Sequence, residues 1–544
     1  MTAGAATGPA RVLPVARTGG SRPYAGTGPL LRLALRRDRI LLPVWVLVLG
    51  GSFPSVARSL ASIAGTAAER ADLGRSLAAN GSLRALYGPV FSDSVGGLTA
   101  VRMTTFGAAL AAVLSLTVVV RHTREEEETG RQDMLSAAMV GRRAPLTAAL
   151  LTALIAQTAL ALVIAAGLAG VTGDTAGSAA LGVAVGGVGM LFACTAAIAA
   201  QITGNARLAR GLTAAVIGAA FVLKAAGDAA TADGSSPLTW LSPLGWAEHV
   251  RAYADERWWV PLLLLAAVAV QAVLAYALAG RRDIGMSFLP ARPGPAEGRL
   301  ATAGGLAWRL QRGGLYGWGA GFLLSGIMFG GITNGAAELV GDNEGTREII
   351  RRMGGEQGLT DAFLAAMVGL LGLVAAVYAV ASVLRLYGEE TGGRAEPVLA
   401  GAVGRLRWAA GHLLIAFGGA VLIMLLGGVG LFLGHGQDLP GILGACLVQL
   451  PAIWLLGAVA VLLYGVFPRA TPAAWAVSGL ALALGWLGPA LDLPRPLMNL
   501  SPFGHLPKLP GTEMTWPPVL ALTALAAALV AAGLAGLRRR DVLG

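Results

Sequence analysis

An all-α polytopic membrane protein of about twelve transmembrane helices, built as two homologous six-helix halves, is the fold class that three observations predict. The 544-residue chain is 55% hydrophobic and only 13% charged, with a mean hydropathy of +0.67, whereas soluble proteins carry about 25% charged residues. Apolar runs long enough to cross a hydrocarbon core of about 30 Å recur along its length, without the alternation of β-barrel strands. The chain also repeats itself. EEETGRQDMLSAAMVGR at 126–142 returns as EETGGRAEPVLAGAVGR at 389–405, LSPLGW at 241–246 as LSPFGH at 500–505, and RRDIG at 281–285 as RRDVLG at 539–544. Equivalent positions lie 273 residues apart at Arg39 and Arg312, 263 at Arg131 and Arg394, and 258 at Asp283 and Asp541. A unit of roughly 260 residues was duplicated and its loops then changed length.

The elements follow in order. Residues 1–27 lack an apolar core and read as a disordered cytoplasmic tail, not a signal peptide. The first half, 28–285, opens with LLRLALRRDR at 30–39, and the second, 306–544, with LAWRLQR at 306–312. Leucines interleaved with arginines suit a helix lying in the headgroup layer. Spans are expected at 40–57, 103–120, 145–170, 179–200, 212–223 (short, extended at its ends) and 258–280, then at 314–334, 362–384, 409–433, 439–467, 473–490 and 518–537. An outside loop of 45 residues follows the first span, and its counterpart at 335–361 is shorter and acidic. Spans three and four of each half are joined by a short turn near Asp174 or His435. The aromatic and proline content of LTWLSPLGW and MNLSPFGH suits irregular structure at the interface. A Pro/Gly-rich cytoplasmic linker, 286–305, joins the halves. An even number of spans per half makes the repeats parallel, with their axis along the membrane normal.

The charge of +11 is a topology signal. Loops on the N-terminal side hold 28 Lys+Arg against 12 Asp+Glu and the opposite side 13 against 18, which accounts for all 41 and 30. The positive-inside rule then places both termini in the cytoplasm of a plasma-membrane protein and removes the reason to invoke nucleic acid. Cys194 and Cys446 fall inside spans, far apart, and read as buried small hydrophobes.

No catalytic constellation and no metal-ligand spacing is present among the five histidines. Arg102, Lys224 and His412 are placed near span ends, where they snorkel. Gln157, Gln201, Gln271 and Gln449 read as inter-helix hydrogen-bonding residues, and Gly182-x-x-x-Gly186 as a close helix contact. Without an evident intramembrane carboxylate, an ion-coupled carrier lacks its coupling group. Nor can the chain hydrolyse ATP. Its two lysines, Lys224 and Lys508, precede Ala225 and Leu509, so no GxxxxGK[ST] loop exists. Energy must come from a separate ATPase.

The duplicated segment is therefore the candidate coupling site. It begins acidic (Glu127 and Glu128; Glu389 and Glu390), breaks at glycine (Gly130; Gly392 and Gly393) and continues with arginine (Arg131; Arg394) into a helix of about ten residues. Thr129 with Gln132 matches a capping box that would start this helix. The carboxylates beside the break form a charged knob suited to a basic groove on a partner, with Glu128 and Glu390 pairing to its arginines or lysines.

On the paired EETGR and EETGGR segments, the paired LSP[LF]G segments and the paired RRD[IV] ends, the chain from about residue 28 onward resembles the fused twelve-span permeases of the ABC-2 type, similar to actinobacterial exporters of polyketide antibiotics and other drugs. The resemblance implies coupling segments at 125–142 and 388–405 that contact two copies of a separate ABC ATPase, where ATP and magnesium bind, with no cofactor on this chain. It also implies re-entrant structure at 237–257 and 497–516, and a hydrophobic or amphipathic small-molecule cargo. The alternatives are a carrier of the major facilitator type, which would carry GxxxDRxGR where this chain has EEEETGRQD, and a lipid-linked transferase, which would need an acidic pair that the first outside loop (Glu69, Asp72 and Asp93) does not form.

Overall fold

The computed structural model describes residues 23–131, 140–282, 286–288, 302–333, 359–490 and 494–541. Most of the N-terminal tail, most of the linker, Gln132 with the helix expected after it, Asp283 and the acidic loop before residue 359 lie outside them.

Among the described residues every regular element is helical. The first repeat comprises α1 (Thr27–Arg37), α2 (Leu41–Ile63), α3 (Ala67–Ala79), α4 (Gly81–Tyr87), α5 (Val95–Arg121), α6 (Arg124–Glu128), α7 (Ala144–Thr172), α8 (Thr175–Ile202), α9 (Ala206–Ala230), α10 (Pro237–Trp240), α11 (Pro243–His249) and α12 (Trp259–Arg281). The second comprises α13 (Ala303–Thr333), α14 (Leu359–Thr391), α15 (Glu396–Leu399), α16 (Arg405–His435), α17 (Leu439–Val448), α18 (Leu450–Val466), α19 (Ala473–Ala490), α20 (Arg495–Met498) and α21 (Trp516–Arg539). Eleven helices, with α17 and α18 taken as one, are long and apolar enough to cross a membrane, and a shorter apolar helix begins at Ala473. Together they fall on the expected spans.

The local chemistry repeats as well. Gly173 and Gly436 end the third spans at φ 73° and 83°, a left-handed closure that costs glycine nothing. Asp174 and Asp438 then cap the fourth spans by accepting from the Gly177 and Gly441 N–H groups at 3.0 and 3.1 Å. The fifth span of the first repeat extends beyond 212–223 at both ends, as expected: α9 starts at Ala206, after the Asn205 side chain caps the Leu208 N–H at 2.8 Å, and runs on past Lys224 because that charge is paired. Two expectations need correction. The basic approach at 306–312 is not a separate helix but the first turns of α13. The difference lies at one position. Asp38 closes α1 with a buried carboxylate held by Arg121 (2.5 Å) and His122 (2.6 Å), whereas Gln311, 273 residues on, stays helical and bonds His412 Nδ1 at 2.9 Å. Finally, the long span at 439–467 breaks at Gln449, because Pro451 has no N–H to continue the ladder.

The described chain forms two compact units. One holds 1–67, 91–224 and 236–291; the other holds 68–90, 225–235 and 292–544, so α4 belongs with the second repeat. In the first unit α8 is the central helix, packed against α5, α7 and α12. Here Gly182 and Gly186 do make the expected close contact, against the α7 backbone at Ala161 and Gln157. In the second, α13 packs along α16, and α14 against α16 and α18. Gly326 and Gly330 face Gly430 and Gly434 across the α13–α16 seam so closely that a methyl at any of them would overlap the opposing backbone.

Candidate functional site

The two sequence echoes that lie far apart along each repeat meet in space. At the end of the first unit that carries Arg37, the carboxylates of α6 are each engaged by a different element. Glu127 takes the Arg282 guanidinium on both oxygens, at 2.5 and 2.9 Å, and also the Arg124 side chain. Glu128 accepts the Ala206 N–H at 2.8 Å, at the start of α9. Glu125 pairs with Arg210 and Glu126 with Arg37, while Arg131 reaches back to Glu126 at 3.4 Å. Gln201, at the end of α8, accepts from Arg282 Nε at 2.7 Å. Arg142 closes the arrangement on the Arg282 carbonyl.

The second unit repeats these contacts in register. Glu390, equivalent to Glu127, holds Arg540, equivalent to Arg282, by two bonds of 2.7 Å. Tyr464, 263 residues after Gln201, donates its hydroxyl to Glu390 and offers its ring to Arg540, whose guanidinium carbon lies 4.8 Å from the ring centroid. Arg394 reaches back to Glu389 at 2.8 Å, as Arg131 does to Glu126, and Arg385 bonds the same carboxylate at 3.2 Å. Arg405, equivalent to Arg142, donates to the Arg540 carbonyl. The EETGR and RRD motifs are thus two sides of one clamp, built twice, that fastens the segment after the second span to the end of the sixth.

This geometry changes the roles expected of the acidic residues. Glu390 and Glu389 are 2% and 6% exposed, and the Glu127 side chain is 6% exposed. They face inward, where a desolvated carboxylate is stable only with its cations in place. What stands out from the clamps is the turn beyond them: Glu128, Thr129 and Arg131 in the first, and Thr391, Gly392, Gly393, Arg394 and Glu396 in the second, are exposed. Gly130 and Gly393 shape both tips at φ 68°, a conformation unfavourable for other residues. Thr129 closes α6, its hydroxyl donating to the Glu125 and Glu126 carbonyls at 3.0 and 3.3 Å, while its capping-box partner Gln132 lies outside the described residues.

At the opposite end of the first unit the structure shows a site that sequence reasoning missed. Lys224 does not snorkel. It is fully buried and pairs with Glu248 of α11 at 2.9 Å, and Thr105 of α5 donates to the same Glu248 oxygen at 2.6 Å. His249 stacks on Trp240 with centroids 4.0 Å apart and shares a 2.8 Å hydrogen bond with Thr239. Burial, reinforced by the Arg251 and Arg257 charges, lowers its pKa to about 4. The signal available was the carboxylate Glu248 two residues after the LSPLGW echo. His412 is likewise buried, against Gln311, not at a watery span end. Gln157 and Gln271 behave as expected: Gln157 donates to the Ala111 carbonyl and Ser115 at 2.9 Å, and Gln271 accepts from Thr195 at 3.0 Å. Among the described residues no group of His, Cys, Asp or Glu could hold a metal ion.

Comparison with known proteins agrees with a permease. The family model described as "multidrug efflux system permease Rv1217c, C-terminal domain" matches residues 28–282 and 300–538. The multidrug efflux system permease protein Rv1217c of Mycobacterium tuberculosis (strain ATCC 25618 / H37Rv) is 45% identical over 529 residues, which cover 95% of this chain and 96% of that protein. With its apolar helices and its twice-built clamp, the chain belongs to the family of multidrug efflux system permeases typified by that protein.

Proposed function

We propose that the chain is the ABC-2-type membrane subunit of an ATP-driven exporter, moving hydrophobic or amphipathic compounds, antibiotics among them, out of the cell. The observation that carries this reading is the pair of matching clamps, each presenting one exposed turn at the same end of its own repeat. Two copies of a separate ATPase, which bind the ATP and magnesium, dock on these turns from the cytoplasm, where both termini lie. The exposed tips, Thr129–Arg131 and Thr391–Arg394, make the contact. The buried carboxylates carry the push inward, since Glu127 and Glu390 join each tip to the last span of its repeat through Arg282 and Arg540. Few fixed charges line the spans, which suits an apolar cargo. The polyketide-exporter resemblance supports the antibiotic assignment.

A gradient-driven carrier retains one observation in its favour, the buried Lys224–Glu248 pair. The test of docking is recovery of the co-expressed ATPase on permease carrying Arg131→Glu and Arg394→Glu, at equal membrane expression. The expected result is loss of ATPase recovery from permease that still folds, because both side chains are exposed and Arg385 continues to pair with Glu389 when Arg394 is reversed. Full recovery with full efflux would sink this use of the tips.

A further inference from the structure

The helix that opens each repeat carries arginines that the rest of the chain leaves unmatched. In the first repeat α1 packs on α7 with Ala34 buried, and Arg37 pairs with Glu126 of the first clamp. Asp38 is buried as well, held by Arg121 and His122. The other arginines point away. Arg32 and Arg36, one turn apart on α1, and Arg39 just beyond it are exposed, and none of the three has an ion-pair or hydrogen-bond partner among the described residues. In the second repeat Arg309 and Arg312 stand 273 residues after Arg36 and Arg39. Both are exposed on α13, and neither has a partner among the described residues.

Apolar side chains stand exposed among these cations. Leu33 and Ile40 accompany Arg32, Arg36 and Arg39. On α13, Trp308, Arg312 and Tyr316 follow one another at four-residue steps and so share one side of the helix, with the two rings edge to face at 6.2 Å. Leu33 also walls, with Leu30, Pro145 and Ala148, a cleft of about 40 Å³ between α1 and α7 whose polar side is the Arg37–Glu126 pair. An acidic soluble surface would match the arginines and waste the leucine, isoleucine and rings. A phospholipid matches both, its head on the guanidinium groups and its chains beside the apolar ones. Each cation near a bilayer surface strengthens association with anionic lipid about fivefold, which is about 1 kcal/mol.

We infer that the opening helix of each repeat is a binding site for an anionic glycerophospholipid, whose phosphate-bearing head is held by Arg32, Arg36 and Arg39 in the first repeat and by Arg309 and Arg312 in the second. Assigning both sites to the cytoplasmic leaflet rests on the topology proposed above. The binding does not, and a nanodisc with the same lipids in both leaflets tests it whichever way the chain faces. Ile40 and Gly313 are equivalent, exposed positions, and Cys194 and Cys446 are buried, so Ile40→Cys and Gly313→Cys each place one fluorophore on the full permease. In phosphatidylcholine nanodiscs, nitroxide-bearing phosphatidylglycerol should quench both fluorophores more than nitroxide-bearing phosphatidylcholine at equal mole fraction. The excess should grow about fivefold per arginine and shrink as salt is raised, a readout that needs no arginine variant. Arg309→Gln with Arg312→Gln should abolish the excess at position 313 and spare position 40. Arg36→Gln with Arg39→Gln should lower it at position 40, to about fivefold, and spare position 313. The matching lysine pairs should keep it. Equal quenching by the two lipids, an excess indifferent to salt, or one that survives the glutamine pairs overturns the site. Equal quenching together with shielding of both fluorophores by added ATPase would give these arginines to that partner, and overturns it too.

Discussion

Truncating Glu390 to alanine removes the centre of the second clamp. Its side chain is 2% exposed and holds Arg540, itself 14% exposed, by two bonds. Without the carboxylate the guanidinium stays desolvated and unpaired, and Tyr464 loses its acceptor. Removing one partner of a buried pair costs about 3–5 kcal/mol, which is roughly two to three and a half decades in the folding equilibrium. Arg540→Ala should cost a similar amount, and the double variant should fall short of the sum by about 2–3 kcal/mol, because the second truncation removes a charge already stranded. Glu125→Ala is the control. Its pair with Arg210 has both side chains more than two-fifths exposed, so its loss should cost less than about 1 kcal/mol. The assay is a double-mutant cycle on detergent-solubilised permease, read as thermal midpoint and as drug efflux at equal expression. If Glu390→Ala ranks with Glu125→Ala, or the two clamp truncations simply add, the clamp contributes no rigidity and the force path through it is wrong.

Gly130→Ala and Gly393→Ala meet no neighbour within 4 Å, so their cost is the φ of 68° alone, about 1–2 kcal/mol each; efflux should fall, with Asn tolerated better than Ala at both sites. His249 has its pKa lowered from 6.5 to about 4, so between those values the unfolded 236–257 segment binds the proton that the folded one refuses. Stability is therefore lost as pH falls, by about 2 kcal/mol at pH 5, and protection of the amides at 244–256, relative to their intrinsic exchange rates at each pH, should fall between pH 7.5 and 5 in the wild type but not in His249→Gln. Impermeant thiol reagents should label cysteines introduced near Gly81 from outside and those near Gly130 only after permeabilisation; labelling of both from one side would overturn the span order.

Much of this architecture was legible beforehand, and the exceptions have physical causes. Span positions follow from hydropathy, and the duplication shows where equivalent contacts recur, so the importance of EETGR and RRD could be read without coordinates. Their partnership could not, since nothing in local pattern says that Glu127 closes on Arg282 across 155 residues. For the same reason Glu390 looked like a free docking charge; reversing it would now be expected to damage the permease's own clamp before any partner is involved, whereas Glu128 is exposed and, among the described residues, keeps only the Ala206 N–H. Lys224 illustrates the converse. A lone lysine at the end of an apolar run snorkels by default, and only the folding back of α11 supplies the carboxylate that keeps it inside.

The central claim is that ATP hydrolysis on a separate subunit drives this permease, and drug uptake into inverted vesicles tests it most directly. Permease alone, with ATP or with an imposed proton or sodium gradient, should move no drug, and addition of the ATPase with ATP and magnesium should restore transport that vanishes in the Arg131→Glu, Arg394→Glu variant. Transport by the permease alone on an ion gradient, lost on Glu248→Gln, would contradict the account and assign the buried Lys224–Glu248 pair to ion coupling.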